Sequence, residues 1–246
     1  MAIKVIPVAG SKYYIGSAAV NLPDVDVVEA DFASVTWIEV GNYQTMGSSG
    51  DASENIGTNL INRRRTINQK GSRQSPSRTD NFALNPDDTG QIAMIAAETT
   101  DYNYPFRIVL PTASAPVPKS TTVTISNAAP GVVTWTAHAL AANTAVVFTT
   151  TGALPAGLTA GTTYYVKTVL DVDTFTVSAT AGGTVIDTTD AGSGTHTATT
   201  IPSPAERLFM GLVNGAEEAG GGTNTELMLN CTVLPNTNYV RVAALG

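Results

Sequence analysis

Cysteine, histidine, charge and long apolar runs are all scarce in this chain of 246 residues. One cysteine, Cys231, rules out an intrachain disulfide and fits a reducing compartment. Within Leu-Met-Leu-Asn-Cys-Thr-Val-Leu it reads as a small buried hydrophobe, not a nucleophile. The only histidines, His138 and His196, lie among Thr and Ala, have no third ligand for a metal, and read as surface or turn residues. There is no GxGxxG, no Walker lysine motif and no zinc-type Cys/His spacing, so catalytic residues, cofactor and metal are all expected to be none and the chain is not expected to be an enzyme. Apolar runs are too short to span a bilayer, and the opening MAIKVIPVAG has one lysine and no long apolar stretch, so neither a membrane anchor nor a secretory signal is expected. The protein reads as soluble and made in the cytoplasm. Charged residues reach only 13%, where about a quarter is usual, and the net charge of −7 argues against nucleic-acid binding by bulk electrostatics.

Gly, Thr, Ala, Val and Asn take the place of charge, and 43% of residues are hydrophobic. That profile predicts a mainly β chain with many turns, as one large or two small domains. Asp80–Pro111 reads as strand, helix, strand. Phe82 and Leu84 alternate with polar neighbours, and Phe106, Ile108 and Leu110 do so again after the helix. Asn85 is the expected N-cap and Pro86 the first helical residue, with Asp87 and Asp88 in the first turn, which explains that acidic pair structurally. The helix is expected over about 86–99, with Ile92, Ile95 and Ala96 as its buried stripe beside Ala93 and Met94. Earlier, a short strand is expected at Lys12–Ala19. Another, Val35–Val40, is apolar on both faces, with Val35 and Trp37 on one and Ile38 and Val40 on the other, as in a sheet covered on both sides.

Between Gly41 and Asp80 the character changes. Arg63, Arg64, Arg65, Lys70, Arg73 and Arg78 gather six of the 13 basic residues of an acidic chain between positions 63 and 78. A strand at Arg63–Gln69 would put Arg64, Thr66 and Asn68 on one face, and little in the segment could build a core. A long polar stretch of this kind is usually functional or disordered. It reads as a loop or hairpin that orders against another subunit, with these six as interface charges. Phosphate binding is the less favoured reading, because no aromatic interleaves the arginines. A solvated loop is the plain alternative.

Pro111–Pro118 and Ile201–Pro204 are linkers of similar Pro-rich composition that flank a separate module. Its strand candidates are Val123–Ile125, Val132–Trp135, Ala145–Phe148, Thr163–Lys167, Thr174–Val177 and Thr184–Ile186, at the spacing of small barrels and sandwiches. Residues 119–200 are therefore expected to be an all-β domain, Ig-like or a small barrel, inserted into a host formed by 1–118 and 201–246. Asp171 and Asp173 lack the Gly and distal Glu of an EF-hand. The host would resume with strands Glu206–Val213 and Glu226–Val233 about a Gly-rich turn at 215–223, Glu217-Glu218 being a solvated loop tip, and end with Tyr239–Val242.

The order Trp37-Ile-Glu-Val40, a polar Gly/Ser segment, Arg63-Arg-Arg-Thr-Ile-Asn-Gln-Lys-Gly71, Phe82-Ala-Leu-Asn-Pro-Asp-Asp-Thr-Gly-Gln-Ile-Ala-Met-Ile-Ala-Ala97 and Tyr104-Pro-Phe-Arg-Ile-Val-Leu-Pro111 resembles the major tail tube protein of long-tailed bacteriophages, lambda-like tubes in particular. Asn-Pro-Asp-Asp-x-Gly-Gln before the Ala-rich helix is the most specific piece. The resemblance covers roughly 1–118 and, more weakly, 201–246. It implies a tail-tube β-sandwich or barrel with one short helix, a homo-hexamer stacking into a hollow tube, and viral DNA passing through the lumen at ejection without specific binding. Tape measure, tail terminator and baseplate proteins would be partners. The place of action would be the virion tail, assembled in the host bacterial cytoplasm. An acidic lumen would keep DNA from sticking. In lambda-like tubes an Ig-like domain follows the tube domain, whereas here the module interrupts it; only the tube exterior would have room for it, as an outward decoration. Alternatives are a head–tail joining or capsid-decorating protein, and a carbohydrate-binding adhesive module.

Overall fold

The computed structural model describes residues 5–246 and is mainly β with one α-helix. Strands β1 (Lys12–Gly16), β2 (Trp37–Val40) and β3 (Tyr43–Thr45) precede a hairpin of β4 (Ala52–Thr58) and β5 (Ile67–Gln74). Then come β6 (Arg78–Ala83), α1 (Thr89–Glu98) and β7 (Tyr104–Val109). Six strands follow: β8 (Ser120–Ile125), β9 (Val132–Thr134), β10 (Ala145–Thr150), β11 (Thr163–Val169), β12 (Thr174–Ser178) and β13 (His196–Ile201). The last are β14 (Glu206–Ala219), β15 (Met228–Pro235) and β16 (Val240–Val242). Contacts divide the chain into two units, Pro7–Pro111 with Glu206–Val242, and Thr112–Ala205 with 5–6 and Ala243–Gly246.

In the first unit an antiparallel sheet runs β2-β1-β7-β14-β15-β6-β3, with β16 also on β14. Its two edges, β2 and β3, are consecutive in the chain, joined by Gly41 and Asn42 alone, so the sheet must curl until its edges meet. The inside of the curl is the core. Every strand on that path turns apolar side chains into it, among them Tyr13, Val40, Phe82, Phe106, Phe209, Leu229 and Cys231. Tyr13 on β1 meets Tyr43 on β3 at 5.5 Å between ring centroids, and Phe209 on β14 meets Tyr239, just before β16, at 4.7 Å. On the other side of β2, Val35 and Trp37 join a second cluster with Phe32, Leu208 and Met210. The two-faced pattern of Val35–Val40 thus corresponds to a sheet covered on both sides.

Helix α1 closes the curl, in a different way from that expected. Asn85 and Pro86 form a turn before it, in which the Asn85 Oδ1 accepts the Asp87 amide at 3.2 Å. The N-cap is Asp88, whose Oδ1 accepts the Gln91 amide at 2.8 Å and the Gly41 amide at 3.2 Å. The buried face is Gly90, Gln91, Met94 and Ala97, while Ile92 and Ile95 are exposed. Close packing decides this. A Cβ on Gly90 would lie 2.1 Å from the Glu39 carbonyl oxygen, so only glycine lets the helix start sit against β2. Gln91 then spans the seam between the sheet edges. Its Nε2 donates to the carbonyls of Gly41 (3.2 Å) and Ala83 (3.0 Å), and its Oε1 accepts the Asn85 amide at 2.9 Å. The Asn-Pro-Asp-Asp-Thr-Gly-Gln run is a latch across the seam.

The second unit is a closed six-stranded barrel in the order β10-β11-β12-β9-β8-β13, so of the two expected forms it takes the small barrel. Val133, Val146, Phe148, Val166, Phe175 and Ala198 fill it. Thr184–Ile186 is not a strand and contributes one bridge, Ser178 to Val185, and the sixth stave is β13, in a stretch too rich in Thr and Ala to announce itself. Both histidines are buried rather than exposed. The His138 Nδ1 accepts the Leu140 amide at 2.9 Å and its Nε2 donates to the Asp171 carbonyl at 3.2 Å, which fixes a structural tautomer. His196 Nδ1 meets the Thr150 hydroxyl at 2.9 Å. Asp171 Oδ1 accepts the Asp173 amide, and that bond pulls its carboxyl below the ordinary value. In the first unit, β14 runs on to Ala219, so the expected turn at 215–223 shrinks and Glu217 and Glu218 lie on a strand.

Entry and exit of the barrel are neighbours, since Ser120 pairs with Thr199 across β8 and β13. Excision should therefore leave two folded pieces. We expect Lys119–Ile201 expressed alone to melt cooperatively, and a chain lacking 120–200 to keep a cooperative transition of its own, both followed by circular dichroism. Loss of either transition would show that the units depend on each other.

Candidate assembly surface

Hairpin β4–β5 has no core. Its strands pair with each other and with no other strand, in register from Ala52–Gln74 to Thr58–Ile67, and nearly every residue is exposed. An isolated two-stranded ribbon is at best marginally stable in water, so the arm needs a root or a partner. One face carries Ser53, Asn55, Asn68, Lys70 and Arg73, the other Glu54, Ile56 and Ile67, following the alternation about the paired residues. Arg63, Arg64 and Arg65 lie in the connection beyond the strand ends, exposed, because β5 begins at Ile67 and not at Arg63. Leu60 and Ile61 are exposed beside them. The expected faces of a strand at Arg63–Gln69 do not arise.

Of the six basic residues singled out in the sequence, five therefore sit on the exposed arm. Arg73 pairs with Asp51 at 3.2 Å, and its side chain remains two-thirds exposed. Arg78 departs from the set. Alternation along β6 aims Arg78, Asp80 and Phe82 into the core, where Arg78 is 1% and Asp80 0% exposed. The guanidinium grips the carboxylate in two places, Nε to Oδ2 at 2.5 Å and Nη2 to Oδ1 at 2.6 Å. Its remaining donors reach the Ser49 hydroxyl (2.6 Å) and the Gly47 carbonyl (3.2 Å), while Asp80 Oδ1 also accepts from the Tyr43 hydroxyl (2.5 Å) and the Gly47 amide (2.8 Å). Burial by itself would lower the Arg78 pKa, but the hydrogen bonds to Asp80 hold it above the ordinary value. Arg78 is therefore no interface charge. It ties residues 43–49, which lead into the arm, down onto β6. Periodicity could have shown this, since Arg78-Thr-Asp-Asn-Phe82 puts the two charges on the face of Phe82.

The return leg is fixed as well. Ser75 donates to Asp51 Oδ1 at 2.5 Å, so the two ends of the hairpin are stapled together. A groove of about 430 Å³ beside this base is lined by Pro23–Asp26, Asp51, Arg73–Ser75 and Pro235–Asn238. Among the described residues no three His, Cys, Asp or Glu side chains gather as metal ligands would. The arrangement presents a rigidly rooted, exposed, cationic ribbon, which suits binding between surfaces.

No family profile matches the sequence, and no curated protein is similar to it. Among solved structures, the chain is similar to the SPP1 tail tube (from a hybrid solid-state NMR and cryo-EM study) with a TM-score of 0.42 and 11% identity, over 98% of this chain and 81% of that one. That likeness is too loose to carry an assignment.

Two outcomes follow. Arg78→Ala strands a buried carboxylate and should cost about 3–5 kcal/mol in denaturant unfolding, whereas Arg64→Ala should stay within about 0.5 kcal/mol. Equal effects would mean that the two arginines are placed alike. Separately, burial first and the Asp80 charge second push the Tyr13 and Tyr43 phenols up, and burial pushes the Cys231 thiol up to about 12. These groups stay neutral in the fold and ionise earlier once unfolded, so the stability they confer is complete below about pH 8.5 and falls as pH rises past that value and then past about 10. The melting temperature should decline across that window, with the phenolate absorbance of the buried tyrosines rising only with unfolding. Titration of every tyrosine in an intact fold would contradict it.

Proposed function

We propose that this protein is a structural component of a phage virion, the subunit of the tail tube, with no catalytic role. The observation that carries the reading is the β4–β5 arm, a cationic hairpin with a firm root and nothing of its own to pack against. Such a chain is completed by other copies of itself. The residue pattern that resembles lambda-like tail tube proteins adds the form of the assembly: hexameric rings stacked into a tube whose lumen conducts DNA. A chain of net charge −7 would line such a lumen without holding phosphate. The tape measure protein inside and terminator and baseplate proteins at the ends would complete the tail, put together in the bacterial cytoplasm. The barrel unit would decorate the outside.

Negative-stain electron microscopy of the purified protein, fresh and after concentration, tests this. Tubes or stacked six-fold rings are expected. Closed rings that never stack would point instead to a head–tail joining protein, and glycan binding by the barrel with no assembly would point to an adhesive module. The Arg64→Glu/Arg73→Glu variant should keep its melting temperature and lose most of its tubes. Undiminished assembly of that variant would remove these residues from the interface.

A further inference from the structure

A second unpartnered surface in the same unit matches the arm in both polarity and charge. On α1, Ile92 is 51% and Ile95 37% exposed, and Ala96 lies beside them, so the helix carries an apolar stripe turned away from the core that Met94 and Ala97 enter. The surrounding stretch from Asn85 to Tyr104 contains no lysine or arginine. It does contain Asp87, Glu98 and Asp101, all exposed, none of which forms an ion pair among the described residues. The arm is the converse. From Asn55 to Gln74 it has no acidic residue and bears Arg63, Arg64, Arg65, Lys70 and Arg73. Its end exposes Leu60 and, completely, Ile61. The three tip arginines also form no ion pair among the described residues.

We infer that the arm tip of one copy docks on the outward face of α1 of a second copy, Leu60 and Ile61 covering Ile92 and Ile95 while the tip arginines meet Glu98 and Asp101. The inference rests on the assembly reading above and names the acceptor surface that reading lacks. Two features favour a second copy as the occupant. The main packing partners of α1 within its own chain are β1, β2 and β14, not the arm, whose tip is exposed throughout. The strands of the arm also span about 23 Å and about 26 Å, at roughly 3.3 Å per residue, far enough to leave their own unit. Because the donor and acceptor patches are different surfaces, the contact is head-to-tail. It repeats from copy to copy, as an extended assembly requires. Apolar cover supplies the attraction, and opposite charge sets register and speeds encounter.

A charge-exchange series tests it, read as the concentration at which the full-length protein begins to sediment as particles, with melting temperature as the control for folding. The Arg63→Glu/Arg64→Glu/Arg65→Glu variant should raise that concentration at least about tenfold, through like-charge repulsion against the helix. The Glu98→Lys/Asp101→Lys variant should do the same, and combining all five changes should bring it back to within about threefold of the unaltered protein. If the arm variant alone impairs assembly while the helix variant neither impairs nor restores it, the arm docks elsewhere: the α1 site is overturned and the assembly reading stands. Unimpaired assembly of the arm variant, or no particles from the unaltered protein at any concentration, would overturn both.

Discussion

The exposed arm of the first unit depends on a charged pair inside it. Arg78 and Asp80 lie in the aromatic core, with the guanidinium 5.7 Å from the Tyr13 ring centroid and 5.8 Å from that of Phe209. Taking two charges out of water is costly, and hydrophobic residues of similar volume often serve stability as well or better. What they would not supply is direction. Beyond each other, the pair bonds to Tyr43, Gly47 and Ser49, the stretch where the chain leaves the sheet for the arm. An apolar core would let that stretch slide; this one fixes where it leaves. The contrast with Arg63–Arg65 is instructive, since the same residue type does opposite work at the two ends of one basic segment.

A second constraint acts at the seam. The two sheet edges follow each other in sequence, and Asn42, at φ 57°, makes the bend between them. Asp88 and Gln91 then satisfy the backbone groups of Gly41 and Ala83 that the bend leaves over, so the start of the helix serves as a clasp. This is why Gly90 and Gln91, neither of them hydrophobic, are buried while two isoleucines of the same helix face water. Rooting of the arm and closure of the seam both draw on β6, which ends in Ala83.

Strand alternation made the β character, the paired faces of Val35–Val40 and the buried Cys231 legible from sequence, because those signals are local. The helix was legible as an element but not in its orientation. Periodicity assigns Ile92, Ile95 and Ala96 to the core, and only the 2.1 Å approach at Gly90 shows that a different face docks. The arm was legible as a segment lacking a core, and five of its six charges are exposed on it. Composition groups Arg78 with the basic cluster, whereas the period of two, counted back from Phe82, places it inside. His196 escaped because it opens β13, a Thr- and Ala-rich strand that hides which face is buried, and His138 because it lies in the loop after β9, where no alternation marks burial and both ring nitrogens find partners.

The adjacency of Ser120 and Thr199 bears on the ancestry of the chain. A module whose two ends lie side by side can be acquired or discarded by one recombination event, with no demand on the fold that receives it beyond an existing surface turn. The barrel and the curled sheet are then free to diverge at different rates. Related chains lacking the barrel altogether, or carrying an unrelated domain at the same point, would be natural products of such a history.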